Sequence, residues 1–436
     1  TTYYKDPQDV TLTPVPGPGW MFDHWEGELT GNDPWPTVTT DHDIALTAVF
    51  AEIPHDPVVF ADPNLEAAVR SAIGKPTGDL YTDDLVGVGF TQLEAPSAGI
   101  TSLAGLEYCL DLELVDLSGN PVTSLSPLAT LTRLTELRLS GVSLSSIVAL
   151  HPIPHLQTLN LSNTGFSTLS ELTAFDEIAR LDLGENPLTD LSPLQQLPVL
   201  SELTLDSCGL TDITALGAMT GLATLDLSGN PLASITPLAQ LTGLTDLGLA
   251  ACGLTDVAGL AGLIGLLRLD ISVNQLTDIS PLAGMVLMTE LNISGNQIAD
   301  LSPLTPMTAL ESFSASFNQI SDITVLASMP ELVFLDLNDN TVTDLAPLSN
   351  LLYLNTIWLA RNTVADLGPL VANIGVGEGD VIDLTDCPDL SQTAYCYQIP
   401  TLEWYGATVI HTGACTYTLS VTKAGSGTIV RDPDKA

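Results

Sequence analysis

Apolar residues recur at a fixed interval through most of this chain. In "LATLDLSGN", Leu222, Leu225 and Leu227 come before a polar residue, Asn230. Closely similar segments place an asparagine at positions 120, 186, 230 and 340, which are 66, 44 and 110 residues apart, all multiples of 22. Alternation of apolar and polar residues predicts a short strand with one buried face, and a period of 22 predicts a stack of such strands.

The polar position, called the ladder position below, recurs in twelve consecutive repeats without insertion or deletion. These are Asn120, Val142, Thr164, Asn186, Cys208, Asn230, Cys252, Asn274, Asn296, Asn318, Asn340 and Asn362, and one step back lies Ala98. An amide, thiol or hydroxyl at a bend satisfies backbone groups of the turn. Cys208 and Cys252 are therefore predicted to be buried ladder residues, about 10 Å apart and too distant for a disulfide.

The second half of each repeat carries apolar residues two, five and eight places after the ladder position. Thr236 and Pro237 are typical of this half and predict an N-cap and first residue of a one-turn helix. The whole pattern, L-x-x-L-x-L-x-x-N/C, is that of leucine-rich repeats. The predicted fold is a solenoid of 22-residue repeats with a parallel sheet on its concave face, thirteen strands spanning roughly 60 Å.

Segments on both sides of the repeats resemble those of bacterial internalin-type leucine-rich repeat surface proteins. Residues 61–85 are similar to the family's helical cap, in which Asp62 and Pro63 begin the helix. Its buried stripe would be Leu65, Val69 and Ile73. A cap is needed because the apolar edge of the first repeat would otherwise face water.

At the other end, residues 383–415 resemble the closing segment of that family. Cys387 is the final ladder residue, displaced from the 22-residue spacing by three. The resemblance implies a helical N-cap over residues 55–97, a repeat array over 98–375 and a C-terminal cap over 376–415.

Residues 9–50 resemble the latter two thirds of the divergent internalin-type B repeat. The matching features are V-T-L-T at positions 10–13, Phe22 with Trp25 and Gly27, and an alternating strand over 44–50. The missing opening part is found at the other end of the chain, in "YTLSVTKAGSGTIVRDPDKA". A small all-β domain is therefore predicted to be split between residues 1–54 and 416–436.

Joined end to start, the two terminal segments form one uninterrupted repeat. Either the chain is one period of a tandem giant protein, or separate subunits exchange terminal strands, as in donor-strand addition. A fragment with arbitrary ends is the third interpretation. The predicted assembly contacts are Tyr417, Leu419, Val421, Ile429, Val10 and Leu12.

Six cysteines indicate the redox environment. Cys109, Cys208, Cys252 and Cys387 occupy core positions, which leaves Cys396 and Cys415 on either side of the last cap. We predict that these last two form a disulfide, as suits an exported protein. Zinc is the weaker alternative because no C-x-x-C pair or histidine cluster accompanies them.

Charge and motifs exclude several classes of function. Fifty-two acidic against 11 basic residues give a net charge of −41, which repels nucleic acid. No apolar run approaches the roughly 18 residues of a membrane span. The chain has no catalytic or phosphate-binding motif, so we expect neither an enzyme nor a cofactor. Calcium at Asp383, Asp386 and Asp389 is a weak alternative, because these carboxylates follow no known ligand spacing.

The outward positions of the concave sheet lie four residues before each ladder position. They are Asp116, Arg138, Asn160, Asp182, Thr204, Asp226, Gly248, Asp270, Asn292, Ser314, Asp336 and Trp358. Near the C-terminal end this small, acidic face changes. Exposed aromatic residues beside an arginine are typical of binding surfaces, so we predict a protein or glycan contact there. This C-terminal aromatic surface consists of Phe317, Phe334, Asp336, Trp358 and Arg361; alternatively, its aromatic residues pack on the closing cap.

A second column, four residues after the ladder position, is almost entirely aspartate. It contains Asp190, Asp212, Asp256, Asp278, Asp300, Asp322, Asp344 and Asp366. Like charges about 5 Å apart repel one another, so each carboxylate is expected to accept backbone N–H bonds in the turn that follows. Stability is then expected to rise with ionic strength.

These features predict a secreted or surface-attached bacterial protein with a structural or adhesive role. Two hypotheses remain: a head-to-tail unit of a surface filament or tandem protein, and a monomeric adhesin that binds a protein or glycan on its concave face.

Overall fold

The computed structural model describes residues 9–17 and 19–416, in two compact units that divide between Asn296 and Gln297. Tyr417, Leu419, Val421 and Ile429 lie outside the described residues.

The first unit begins with two small antiparallel sheets. Their strands are β1 (Asp9–Thr11), β2 (Trp20–Gly27), β3 (Thr37–Thr39) and β4 (Leu46–Glu52). β1 pairs with β3, and β2 pairs with β4. The ring of Phe22 lies 5.3 Å from that of Trp25 and 6.1 Å from that of Phe50. Gly27 has φ +111°, and a Cβ there would lie 2.3 Å from the Ala45 carbonyl oxygen, so this turn requires glycine.

A helical segment follows, with β5 (Pro57–Val58), α1 (Pro63–Ile73) and β6 (Leu80–Tyr81). The predicted helix start is confirmed, because Asp62 Oδ1 accepts hydrogen bonds from the backbone of Asn64 and Leu65. Its Oδ2 accepts two more from the backbone and hydroxyl of Thr101. Burial alone would raise the pKa of Asp62, but these hydrogen bonds lower it to about 2. The carboxylate thus joins α1 to the repeats.

Ten parallel strands complete the sheet of the first unit. They are β7 (Gln92–Glu94), β8 (Leu114–Asp116), β9 (Glu136–Arg138), β10 (Thr158–Asn160), β11 (Arg180–Asp182), β12 (Glu202–Thr204), β13 (Thr224–Asp226), β14 (Asp246–Gly248), β15 (Arg268–Asp270) and β16 (Glu290–Asn292). Each residue pairs with the one 22 positions later, as Leu203 does with Leu225. The middle residue of each strand is buried. The leucine-rich repeat fold is therefore confirmed.

The ladder position is a hydrogen-bonded column inside the stack. Asn230 Nδ2 donates to the carbonyls of Leu205 and Leu227, both at 2.8 Å, and its Oδ1 accepts from the Leu210 N–H at 2.9 Å. A cysteine reproduces only the donation, from Cys208 Sγ to the Leu183 carbonyl at 3.3 Å. Asparagine thus satisfies three backbone groups in two repeats, which explains its predominance.

Cys208 and Cys252 are buried free thiols, as predicted. Burial raises the pKa of Cys208 to about 11 and also raises that of Cys252. Where these thiols replace asparagine, the orphaned N–H groups of Leu188 and Leu232 donate to backbone carbonyls instead. Both cysteines are therefore structural.

Opposite the sheet, each repeat forms a short 3₁₀ turn. In the first unit these are Thr82–Asp84, Leu106–Tyr108, Ser126–Thr130, Val148–Leu150, Leu169–Ala174, Ser192–Gln196, Thr214–Ala218, Thr236–Gln240, Ala258–Leu260 and Ser280–Gly284. The prediction of Thr236 as an N-cap was wrong, because it is the first residue of its turn. The Thr236 N–H is instead accepted by Ser234 Oγ, at the position of the aspartate column.

The eight aspartates of this column accept the N–H of the residue two places later. Representative distances are 2.9 Å from Ser192 N to Asp190 Oδ1 and 2.8 Å from Ser302 N to Asp300 Oδ1. These bonds lower the pKa of both carboxyl groups. The predicted backbone bonds are thus present, and each closes the bend before the next 3₁₀ turn or, for Asp366, before α2.

The second unit contains five more parallel strands and two α-helices. They are β17 (Ser312–Ser314), β18 (Phe334–Asp336), β19 (Thr356–Trp358), α2 (Gly368–Ala372), β20 (Val381–Asp383), α3 (Ile399–Tyr405) and β21 (Thr408–Ile410). The 3₁₀ turns are Ser302–Leu304, Thr324–Ser328 and Ala346–Leu348, and residues Ala394–Gln398 form a π-helical turn.

The predicted thirteen strands are extended by two in the closing segment. β20 pairs with β19 and β21 pairs with β20, both in parallel. The step from β19 to β20 is 25 residues, since Trp358 pairs with Asp383. This matches the predicted three-residue displacement of Cys387, whose Sγ donates to the Leu359 carbonyl at 3.1 Å.

Candidate functional site

Two aromatic rings of the C-terminal aromatic surface meet on the exposed face of the parallel sheet. Phe334 is the first residue of β18 and Trp358 is the last residue of β19. Their ring centroids lie 5.0 Å apart at an interplanar angle of 80°, an edge-to-face contact. Trp358 remains 37% exposed. The structure thus pairs it with Phe334 of the preceding repeat and leaves part of its surface open to solvent.

Carboxylates flank Trp358 on the strands to either side. In the sheet register Trp358 pairs with Asp336 of β18 and with Asp383 of β20. Asp336 is 8% exposed, and its Oδ1 accepts the Asn338 N–H at 2.9 Å. Burial raises its pKa, although hydrogen bonds from Asn338 and Ser316 oppose the shift. Asp383 is half-buried, and its Oδ1 accepts the Thr385 N–H at 2.8 Å.

Phe317 and Arg361 lie on the bends that follow the strands, immediately before their ladder residues. Both have left-handed backbones, with φ of +54° and +56°. Phe317 is 59% exposed. Arg361 makes a bidentate ion pair with Asp339, whose atoms lie 2.5 Å away, and this contact raises the pKa of Arg361. The arginine is thus already paired within the chain.

Left-handed backbone at this bend recurs through the repeats, and glycine fills it in several of them, as Gly229 does with φ +72°. A non-glycine residue costs about 1–2 kcal/mol in this conformation. Phenylalanine at position 317 is therefore unfavourable for the bend and exposes a large apolar ring. Other repeats also carry non-glycine residues at this bend, among them Ala251 and Val273, so Phe317 differs from them in its exposed aromatic ring and not in its backbone.

Cys396 and Cys415 form a disulfide, with their Cα atoms 4.9 Å apart. It links the π-helical turn to the segment after β21. The three aspartates considered for calcium do not converge: among the described residues, no group of three or more His, Cys, Asp or Glu side chains is arranged to hold a metal ion.

The two described residues predicted to take part in assembly lie on or beside β1. Val10 pairs with Val38 of β3, and the Leu12 N–H donates to the Pro36 carbonyl at 2.9 Å. Both side chains are half-buried. β3 therefore covers one edge of β1.

A further cluster, which was not predicted from the sequence, is here called the Trp35 junction and consists of Asp33, Trp35, Arg133, His155 and Glu177. His155 Nε2 lies 2.5 Å from Asp33 Oδ1, and its Nδ1 lies 3.0 Å from Glu177 Oε1. The Trp35 ring lies 5.5 Å from the imidazole, and the Arg133 guanidinium lies 5.3 Å from the Trp35 centroid. Through these contacts the loop between β2 and β3, which carries Asp33 and Trp35, packs against the repeats.

Burial lowers the pKa of His155, but hydrogen bonds to Asp33 and Glu177 outweigh it, and the net shift is upward. Asp33 and His155 are 122 residues apart in sequence. The only local signal was the compact "NDPWP" turn, which does not specify a partner.

The stacked parallel strands, internal asparagine ladder and 3₁₀ turns define a leucine-rich repeat protein with a small β-domain before its repeats. Among the described residues, no helix is both long and apolar enough to cross a membrane.

Comparisons with known proteins agree with this class. The model for leucine-rich repeats in two copies matches residues 264–306 and 308–350, and that for the divergent InlB B-repeat domain matches residues 1–54. A search of curated proteins finds no match.

An internalin, InlF, from Listeria monocytogenes is 32% identical, with 73% of this chain and 94% of that chain covered and a TM-score of 0.64. The chain belongs to the internalin-type leucine-rich repeat family. Two more distant structures share the fold. The functional domain of L. monocytogenes InlJ is 23% identical over 75% of this chain and 81% of that one, with a TM-score of 0.52. A leucine-rich repeat protein of Leptospira interrogans is 20% identical over 73% and 94%, with a TM-score of 0.54.

Proposed function

We propose that this chain is a non-catalytic, extracellular bacterial adhesin that binds a protein through its C-terminal aromatic surface. Its internalin-type repeats and B-repeat are modules of adhesin-type surface proteins. The observation that carries the proposal is the pairing of Trp358 with Phe334 on the exposed sheet face, with Trp358 still 37% exposed. Partly exposed aromatic anchors beside polar groups are typical of interaction hot spots.

The bend that carries Phe317 also supports a binding role for the C-terminal aromatic surface. Phe317 is solvent-exposed at a position where glycine would relieve backbone strain. Its side chain therefore contributes little to the fold that a glycine would not. Binding is the role that accounts for an exposed aromatic ring at a bend where the other repeats carry no aromatic residue.

A screen of extracellular protein and glycan arrays with the full chain tests this proposal. Trp358→Ala should abolish capture of the specific protein targets, whereas Trp404→Ala, which removes a tryptophan that is 82% exposed on α3, should leave capture unchanged. Equal retention by both variants, or capture of glycans alone, would contradict it.

The head-to-tail arrangement is the second candidate. Within the described part of the chain β1 pairs with β3 along one edge and with no other strand, so an added strand could pair with its second edge. If units exchange strands, the purified chain should form fibres in electron micrographs with a repeat of one unit. Thr11→Pro should shorten them, because the Leu12 N–H donates to the β3 side and the neighbouring Thr11 N–H therefore points to the open edge. Monodisperse particles at high concentration would oppose strand exchange.

A further inference from the structure

The carboxylates beside Trp358 indicate which chemical group its exposed face receives. Asp336, Trp358 and Asp383 occupy the same position in three neighbouring strands, so their side chains share one face of the sheet. Adjacent strands lie about 4.8 Å apart. An aromatic ring between two carboxylates is an environment that favours a planar cation.

The nearby charges are predominantly negative. Asp339, Asp386 and Asp383 all act electrostatically on Arg361, but the bidentate contact of this guanidinium is with Asp339. Among the cation–ring contacts of the described residues, none involves Trp358. A cation from a binding partner could therefore lie on the face of the Trp358 ring.

The chain contains the completed form of this arrangement at the Trp35 junction. The Arg133 guanidinium lies 5.3 Å from the Trp35 centroid, and its Nη2 is 2.9 Å from Glu113 Oε1. Asp111 provides a second carboxylate, at 3.4 Å from Nη1. Tryptophan, arginine and two carboxylates thus form one unit inside the molecule, whereas beside Trp358 the nearby arginine, Arg361, is held by Asp339 and makes no contact with the ring among the cation–ring contacts of the described residues.

We infer that the C-terminal aromatic surface binds an arginine side chain of a cationic protein, with the guanidinium stacked on Trp358 and paired with Asp383. Arginine suits this position because its planar group stacks on an aromatic face while donating in its own plane. A second copy of this chain is unsuitable, since both would carry a net charge of −41. The inference rests on the proposed adhesin function and specifies its partner.

The structure provides a conservative variant for the test. Asparagine occupies the position equivalent to Asp383 in two other repeats, where Asn160 and Asn292 accept the same local N–H from Ser162 and Ser294. Asp383→Asn should therefore preserve the bend and remove only the charge. Asp344→Asn is the matched control, since Asp344 is exposed and accepts the Ala346 N–H in the aspartate column.

The probe is a fluorescent hexa-arginine peptide, compared with hexa-citrulline, which has the same shape without the charge. Polarisation titrations with the full chain should show binding of hexa-arginine only. Trp358→Ala and Asp383→Asn should each weaken it about tenfold, the size of a desolvated cation–π contact or charge-assisted hydrogen bond. Asp344→Asn should match the wild type.

The inference would be overturned if hexa-arginine did not bind. It would also be overturned if Asp383→Asn and Asp344→Asn weakened binding equally, because the peptide would then be attracted by the net charge alone. Binding of the variants to the protein targets found on the arrays shows whether the arginine contact alone is wrong or the proposed adhesin function is wrong as well. If a protein target is lost with Trp358→Ala but retained with Asp383→Asn, the adhesin surface stands and the arginine contact is wrong.

Discussion

Trp35 and Trp358 both lie near carboxylates, but they differ in what covers them. Trp35 has the Arg133 guanidinium on its ring and His155 beside it. Trp358 has only the edge-to-face contact with Phe334 and remains 37% exposed. The chain thus places its own arginine, Arg133, on the Trp35 ring, whereas none of the cation–ring contacts of the described residues involves Trp358. The contacts of Trp35 stabilise the fold, whereas the exposed part of Trp358 remains accessible to a binding partner.

Removing each indole should give the largest contrast. Trp35→Ala should release the β2–β4 region and cost about 2–3 kcal/mol, because packing and a cation–π contact are lost together. Trp358→Ala should cost about 1 kcal/mol or less, the value of one aromatic pair. Thermal unfolding with hydrogen exchange across residues 20–52 measures both. If both variants lost the same free energy of unfolding, Trp35 would not differ from Trp358 in its contribution to the fold.

The Trp35 junction should also depend on pH. Asp33 and Glu177 face the His155 imidazole, Arg133 lies across the Trp35 ring, and the pKa of His155 is raised. Its contribution is therefore complete below its unfolded pKa of about 6.5 and is lost as pH rises through the higher folded value. The loss should be about 1–2 kcal/mol, the worth of a charge-assisted hydrogen bond.

Hydrogen exchange of residues 20–52 from pH 5 to 9 follows this change. His155→Gln should abolish the pH dependence, and protection that increases with pH in the wild type would refute the assignment. The C-terminal aromatic surface should show no such change, because none of its five residues is a histidine.

At the bends, stability and binding should change in opposite directions. Phe317→Gly relieves a left-handed backbone, so the free energy of unfolding should stay constant or rise by up to about 1 kcal/mol while partner binding weakens. Val273→Gly is the control, since Val273 has φ +55° and is 63% exposed in the first unit. It should stabilise without affecting binding. Weaker binding in both variants would indicate a general change in the solenoid.

The smallest effect is expected from the aspartate column. Hydrogen bonds lower the pKa of Asp190, Asp212, Asp300 and Asp322, so their stabilisation is present above the unfolded pKa and lost as pH falls through the lower folded values. At neutral pH the stacked charges repel, and salt screens them. The melting temperature should therefore rise from low to high ionic strength. An unchanged melting temperature would mean that the local bonds already offset the repulsion.

The repeat fold could be predicted because its determinants are local and periodic. Asn230 bonds to groups 20, 25 and three residues earlier in the chain, and the same offsets recur for Asn186. A pattern in one repeat therefore specifies its contacts with the next. The capping prediction failed at Thr236 because the capping side chain lies two residues earlier, where Ser234 Oγ accepts the Thr236 N–H and Thr236 becomes the first residue of the turn.

The candidate site was predicted only in part. Trp358 and Phe334 were found as outward aromatic residues, but Asp383 was considered only as a calcium ligand. It neighbours Trp358 because the step from β19 to β20 is 25 residues rather than 22. The sequence alone thus determined the solenoid, its ladder and its outward face, since each repeat meets only its neighbours. Only the tertiary structure decided that His155 joins Asp33 and that Asp383 lies beside Trp358, because these contacts depend on a loop and on a 25-residue step that the 22-residue period does not encode.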